Sequence, residues 1–410
     1  MEIVRLVRYQ PWPWGFKMII MKLKSIIKEP NIYSEPMYKL LSITILFLLS
    51  YSLLAQEKQY SFNIEGTINT DSGKVTIDLF YDHDYYPKGI EKMEAEVKDK
   101  KFSFRGYIPY PQAFTISYGQ QYYSRLFVVE SGDQSMTLNI DANREVPSID
   151  NQAMREYEGE YAMEYEKVRK KRKAYEAKGD SLRQFYDGNI PESIQLELET
   201  EIKKIYAEGD SVLLKYVTAH PNSYLAMWKF IELFSFDGYS DLFSSIHRQF
   251  SDSLKETYAG KVLTEKLTAS AQLAIGKRFP VLTAIDSQSI SLDETLLFKN
   301  KYTLIDFWYS NCSPCIAQFP HLKDMYDKYK DRGFEIVGIS TDRERYKEQW
   351  LRVIEKYQLS WPQYWDKNGI EASELSINKF PTNYLLDNQG RIIKKDLRPV
   401  ELEEFLQENL

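Results

Sequence analysis

Asp306-Phe307-Trp308-Tyr309-Ser310-Asn311-Cys312-Ser313-Pro314-Cys315 is the stretch on which the reading of the chain turns. Leu304 to Trp308 is a strongly apolar run of strand length, and Ser313 to about Lys330 carries a helical pattern. The two cysteines therefore fall at a strand-to-helix junction. Pro314 fits the first helical turn, where its missing N–H costs nothing. Cys312 then stands at the helix N-terminus, whose unpaired N–H groups and macrodipole stabilise a thiolate. Cys315, one turn further in, is expected to be more buried and protonated. That asymmetry defines an attacking thiol and a resolving thiol.

Around this junction the chain alternates strands and helices from Gly276 onward. Phe334 to Ile339 reads as a second buried strand and Arg343 to Tyr357 as a helix. Asn383–Leu386 and Arg391–Lys395 pair across the turn signal Asp387-Asn388-Gln389-Gly390. A final amphipathic helix covers about Val400 to Leu406. This order gives an α/β arrangement with a mixed sheet over 276–410.

The 410 residues contain 2 cysteines, both in this motif. A secreted scaffold stapled by disulfides would spread its cysteines along the chain, so these two can pair only with each other or with something outside. A structural zinc site wants four ligands. Without a second C-x-x-C, His321 would bring the count only to three, and it reads more simply as a surface helix residue. No metal and no separate cofactor are expected. The formal net charge of -6 leaves no basic footprint for nucleic acid.

Upstream, the pattern divides in two. Over 57–150 apolar residues alternate with polar ones, as in Tyr60, Phe62, Ile64 and again Val75, Ile77, Leu79, with turn signals between the runs. These predict an antiparallel all-β domain, sandwich-like or barrel-like. Over 151–273 the period becomes helical: Ile194, Leu198, Ile202 and Ile205 share one face behind Pro191. The basic run Arg169–Lys173 is flanked by Glu164, Glu166 and Glu176, which reads as a solvated helix face.

The N-terminus reads as an address. A short positive start at Met37–Lys39 precedes the apolar run Leu40–Leu54, and Ala55 offers a cleavage point. As a helix that run would span about 22 Å, short of the roughly 30 Å hydrocarbon core. A cleaved signal peptide over 37–55 is favoured, with membrane contact only if the signal stays uncleaved. Translation is expected to begin at Met37, leaving 1–36 outside the native product. No cysteine follows the run, so a lipoprotein anchor is not expected. The location read from this is the periplasm or cell envelope.

The motif of Asp306 to Cys315, followed by Pro320, resembles the thioredoxin active-site strand and helix. With Phe319-Pro320, an inserted strand–helix unit, and a hairpin preceded by Pro381, it is similar to the TlpA/ResA-like extracytoplasmic reductases. Gly276–Pro280, leading to Ile290-Ser291-Leu292, matches the N-terminal hairpin of that family. The region before it resembles the uncharacterised strand-rich segment of Bacteroidetes-type envelope proteins. The resemblance implies a cis peptide at Pro381 in Lys379-Phe380-Pro381-Thr382, presenting the backbone of Phe380 to an extended substrate. It makes Asp306 the buried acid that moves the proton of Cys315. Two departures stand out. Gln318 replaces a common glutamate, leaving Asp306 as the only local base. Asn311 replaces a tryptophan, which is expected to expose Cys312 and to alter, together with Pro314, which partners dock.

The function implied is thiol–disulfide exchange with disulfides of envelope protein clients. Ser313-Pro314 lacks the histidine of strongly oxidising relatives, which tilts the direction toward reduction, with a membrane thiol carrier as electron donor. Two alternatives remain at this point. A peroxiredoxin-like peroxidase would need Thr or Ser three residues before its cysteine and Pro seven before, where this chain has Tyr309 and Ile305. An envelope ligand-binding module on a thioredoxin-like scaffold is the other.

Overall fold

Residues 58–80, 83–142, 144–237 and 239–410 are described by the computed structural model. The start at Met37, the apolar run and the signal peptide over 37–55 lie outside the described residues. Among those described, no helix is long and apolar enough to cross a membrane.

The alternating segments form nine strands of one sheet: β1 (Tyr60–Ile68), β2 (Ser72–Leu79), β3 (Met93–Lys98), β4 (Lys101–Ile108), β5 (Gln112–Tyr118), β6 (Tyr122–Tyr123), β7 (Phe127–Val129), β8 (Gly132–Leu138) and β9 (Ser148–Ile149). Their order is β6-β5-β2-β3-β4-β1-β8-β9, with β7 beside β5. The strand-rich expectation holds, but one pairing is not antiparallel: β1 and β8 run parallel, Phe62 opposite Gly132 through Ile68 opposite Leu138. Alternation reports which face is buried and says nothing of strand direction. β1 and β8 are joined through all the intervening strands, not a tight turn, so parallel pairing is open to them. Phe62, Ile64 and Ile68 point inward, and Gly66 fills the gap in that row. The Phe102 ring lies where a side chain on Gly66 would go.

The helical region supplies α1 (Gln152–Glu156), a π turn (Tyr157–Tyr161), α2 (Ala162–Phe185), α3 (Glu192–Ala219), α4 (Tyr224–Asp237), α5 (Asp241–Gln249), α6 (Asp252–Lys255) and α7 (Tyr258–Ala271). Pro191 caps α3, and Leu198 and Ile205 on its apolar stripe are buried. Sheet and helices share one hydrophobic core. Trp228 of α4 is fully buried, stacks on Tyr86 at 5.1 Å and donates from Nε1 to Pro111 O at 3.1 Å. The basic run on α2 is paired, Lys171 with Glu208 at 2.6 Å and Arg172 with Glu176 at 3.0 Å, as a solvated face would be.

The C-terminal sheet contains β10 (Tyr302–Trp308), β11 (Phe334–Ser340), β12 (Gln363–Trp365), β13 (Thr382–Asp387) and β14 (Ile392–Lys395), in the order β12-β11-β10-β13-β14. The first three are mutually parallel and the last two antiparallel, a mixed sheet. Strand β10 lies at the centre with both faces covered, which is why its sequence is almost continuously apolar. Helices α8 (Ser313–Tyr329), α9 (Lys347–Tyr357), α10 (Ile370–Glu374) and α11 (Pro399–Asn409) complete this thioredoxin-like fold. The N-terminal hairpin is a single antiparallel bridge between Ile285 and Ser291, closed by Asp286 N donating to Ile290 O and Leu292 N to Ala284 O, both at 2.8 Å, and Ile285 bridges Trp365 of β12 on its other edge.

Residues 60–410 form one compact unit. Three side chains of the thioredoxin-like part donate to carbonyls of the helical region: Ser376 Oγ to Lys266 O at 3.1 Å, Asn378 Nδ2 to Ser235 O at 3.2 Å, and Lys395 Nζ to Tyr239 O at 2.8 Å. Arg398 Nε adds an ion pair with Glu199 at 3.1 Å.

Candidate active site

The ends of β10 and β11 point the same way, as parallel neighbours must, so the loops after both strands meet. The loop after β10 carries Tyr309, Ser310 and Asn311 to Cys312, the N-cap of α8. Cys312 and Cys315 are joined as a disulfide. Cys312 Sγ also accepts from Cys315 N at 3.2 Å, the interaction that would hold a thiolate at this helix end. Pro314 occupies the first turn of α8 and is exposed.

Burial differs from expectation at one point. Cys312 is only 2% exposed, barely more than Cys315 at 1%. The small Asn311 does not uncover it. Both cysteines pack into the cluster of Trp308 and Phe319, with Tyr309 and Phe380 against it. Asn311 is itself exposed and is tethered to α9, where Gln349 Nε2 donates to its Oδ1 at 2.5 Å. A polar residue at this position therefore ties the loop down and leaves the sulfur covered.

Asp306 lies on the face of β10 shared with Leu304 and Trp308, both of which pack in the cysteine cluster. Its side chain is buried, and its Oδ1 has no hydrogen-bond partner among the described residues. Desolvation pushes the carboxyl up to about 7. A group poised near neutrality can take or give a proton under working conditions.

The Phe380–Pro381 bond is cis. The Phe380 ring meets that of Tyr309 edge-on, with centroids 5.4 Å apart, so the proline loop sits against the loop carrying the cysteines. The structure thus brings together Cys312, Cys315, Asn311, Pro314 and Phe380-Pro381, and it buries Asp306 on the same strand face as Leu304 and Trp308 of the cysteine cluster. His321 is exposed on α8. No group of three or more His, Cys, Asp or Glu is arranged to hold a metal ion among the described residues.

Sequence reasoning missed Asp342. It follows β11, is buried, and accepts from Ser310 N at 2.8 Å, Ser310 Oγ at 2.7 Å and Ser340 Oγ at 2.8 Å. Its own carbonyl accepts from Trp365 Nε1 at 2.7 Å. One carboxylate thereby fixes the turn two residues before Cys312. The available signal was the polar run Ser340-Thr341-Asp342 directly after a buried parallel strand, beside the other strand end that carries the cysteines.

Comparison with known proteins agrees with this geometry. Residues 275–395 match the model of the AhpC/TSA family. Thiol-disulfide oxidoreductase ResA of Bacillus thuringiensis subsp. konkukian is 30% identical over 144 residues, covering 34% of this chain and 80% of the relative. The chain belongs to the TlpA/ResA-like thiol–disulfide oxidoreductases of the thioredoxin family. ResA of Bacillus cereus is likewise 30% identical over 140 residues, 33% of this chain and 78% of the relative. Among solved structures, the thioredoxin domain of a thiol-disulfide oxidoreductase from Bacteroides vulgatus is 36% identical, covering 33% of this chain and 96% of that one, with a TM-score of 0.31. For this ResA-like chain the likeness rests on the C-terminal third, where the redox pair lies.

Proposed function

We propose that this thiol–disulfide oxidoreductase works in the cell envelope as a reductase of disulfides in client proteins. The observation that carries the chemistry is the Cys312–Cys315 disulfide at the N-terminus of α8, the helix that follows the strand carrying a buried carboxyl poised near neutrality. In the reduced chain, thiolate Cys312 attacks one sulfur of the client disulfide. The client's S–S bond breaks, a mixed disulfide forms, and the departing client sulfur takes a proton. Asp306 accepts the proton of Cys315, whose thiolate then attacks Cys312 Sγ and releases the second client thiol. Two enzyme thiols are oxidised and one client disulfide is reduced. A thiol carrier in the membrane restores the dithiol by the same exchange in reverse. The backbone beside the cis Phe380–Pro381 bond, with Asn311 and Pro314 at the rim, holds the client in extended form.

Three features support the reductive direction and the location. Ser313-Pro314 places no histidine between the cysteines to stabilise the reduced state. The apolar run 40–54 has the length of an export signal. The resemblance carried by the sequence motifs is to extracytoplasmic reductases. The deciding measurement is the reduction potential, titrated against dithiothreitol buffers with thiol trapping. A value near or below about -230 mV is expected, whereas a value toward about -120 mV would reverse the direction. Insulin reduction by the full chain, lost in Cys312→Ser, tests the exchange itself.

A further inference from the structure

Asp342 lies buried just beyond the end of β11, and no step of the exchange uses it. Burying a carboxylate is costly even when donors surround it. Its Oδ1 accepts from Ser310 Oγ, and its Oδ2 accepts from Ser310 N and Ser340 Oγ. Two of these three donors belong to the loop that delivers Cys312. The anchor is itself held from behind. The carbonyl of Asp342 accepts from Trp365 Nε1 at 2.7 Å and from Asn368 N at 3.1 Å, which ties its backbone to β12 and the turn after it. Thr341 N donates to Trp308 O at 2.9 Å, joining the segments that follow β10 and β11. Cys312 N donates to Tyr309 O at 3.0 Å and closes the turn that contains Ser310. The tether of Asn311 to Gln349 is exposed, whereas both bonds from Ser310 to Asp342 are buried, where hydrogen bonds are stronger.

We infer that Asp342 is a positioning residue for the redox pair: by fixing Ser310 it holds Cys312 where its sulfur meets that of Cys315, and so keeps the reduction potential low. The inference deepens the reading of the chain as a reductase and rests on it. Cys315 sits one turn into α8 and moves only with the helix. Cys312 is the N-cap, so its place depends also on the loop before it. A disulfide forms only when two sulfurs meet in one narrow geometry. Holding two reacting groups together raises their effective concentration, which here favours closure of the dithiol and release of its electrons to a client. The couple itself is unchanged, with two thiols giving one disulfide, two electrons and two protons. Without the anchor the open dithiol gains freedom that the closed disulfide cannot use. Loss of Asp342 therefore costs the oxidised state more than the reduced one, and the potential rises. A residue that only held the fold together would cost both states alike and leave the potential where it was.

The test is the reduction potential of the full chain, titrated against dithiothreitol buffers with thiol trapping, for the parent, Asp342→Ala, Asp342→Asn and Ser310→Ala. In Asp342→Ala the equilibrium constant for closing the disulfide is expected to fall about tenfold, which raises the potential by about 30 mV. Asp342→Asn keeps an oxygen that can accept from Ser310, so it should lie between that variant and the parent. Ser310→Ala removes the hydroxyl and keeps the N–H bond, and the same constant should fall about threefold. Urea unfolding of both redox forms of Asp342→Ala should show the larger loss in the oxidised chain. An unchanged potential in Asp342→Ala, with both forms weakened equally, or a shift to lower values, would overturn the inference. If Asp342→Ala does not fold, Ser310→Ala decides by the same criterion. The parent's own potential tests the reductase reading separately: a value toward about -120 mV would refute that reading, while the difference between parent and variant still judges Asp342.

Discussion

Replacing Asp306 by Asn isolates the cost of the buried carboxyl. Burial raises its pKa to about 7, against about 3.9 for an unperturbed aspartate. The folded state therefore holds a proton that the unfolded chain gives up between these values. Stability from this group is fully present below about pH 3.9 and is lost as pH rises through about 7. A tenfold difference in proton affinity is worth about 1.36 kcal/mol, so the loss amounts to about 1.5 kcal/mol at pH 5 and about 4 kcal/mol at pH 8. An amide cannot ionise. The stability of Asp306→Asn relative to the parent should therefore rise by about 2–3 kcal/mol between pH 5 and pH 8, whatever constant offset the amide introduces. The assay is urea unfolding of the oxidised chain at both pH values, without reductant so that the disulfide stays closed. Parallel shifts of parent and variant with pH would refute the argument, because they would mean that Asp306 is either solvated or never ionised in this range. The same variant should slow attack by Cys315 and remove the pH dependence near 7 from the resolving step, read as the decay of a mixed disulfide.

Three other outcomes follow from the site. Cys315→Ser should trap clients on Cys312 as mixed disulfides visible on a non-reducing gel, while Cys312→Ser should form none. Asp342→Ala should destabilise the oxidised chain by about 2–4 kcal/mol in urea unfolding, since it strands the buried N–H of Ser310 and two hydroxyls. Gly338→Ala places a methyl against the Gln363 side chain, which also accepts from Trp308 Nε1 at 3.2 Å. It should cost about 1–3 kcal/mol in the same measurement, and an unchanged midpoint would show that Gln363 moves aside freely.

What was legible in the sequence was local. The Cys-x-x-Cys motif, the largely apolar β10 and the Asp387–Gly390 turn each announce themselves over a few residues, and the cis-proline came with the motif. Asp342 did not, because its partners are Ser310 and Ser340, and only the parallel pairing of β10 with β11 brings Ser310 near. Strand direction in the larger sheet escaped for the same reason: alternation is identical for parallel and antiparallel neighbours. Sequence misjudges the burial of Cys312 when Asn311 is treated as a missing cover. Cys312 is instead buried in a cluster that draws on residues far along the chain, with Tyr309 and Phe380 packed against it.

That cover bears on how exchange begins. In the oxidised chain both sulfurs are nearly sealed, so an incoming thiolate cannot reach Cys312 Sγ without access from the rim. The exposed residues near it in sequence are Asn311, Ser313 and Pro314, while the rings of Tyr309 and Phe380 meet edge-on and pack against the cluster that holds both cysteines. The residues that hold the loop in place are Ser376 and Asn378, through their hydrogen bonds to the helical region. The redox motif is that of a general thioredoxin-like enzyme. Here the segment leading into its proline loop is tied to α4 and α7, so a change in those helices is expected to be felt at the loop beside the cysteines.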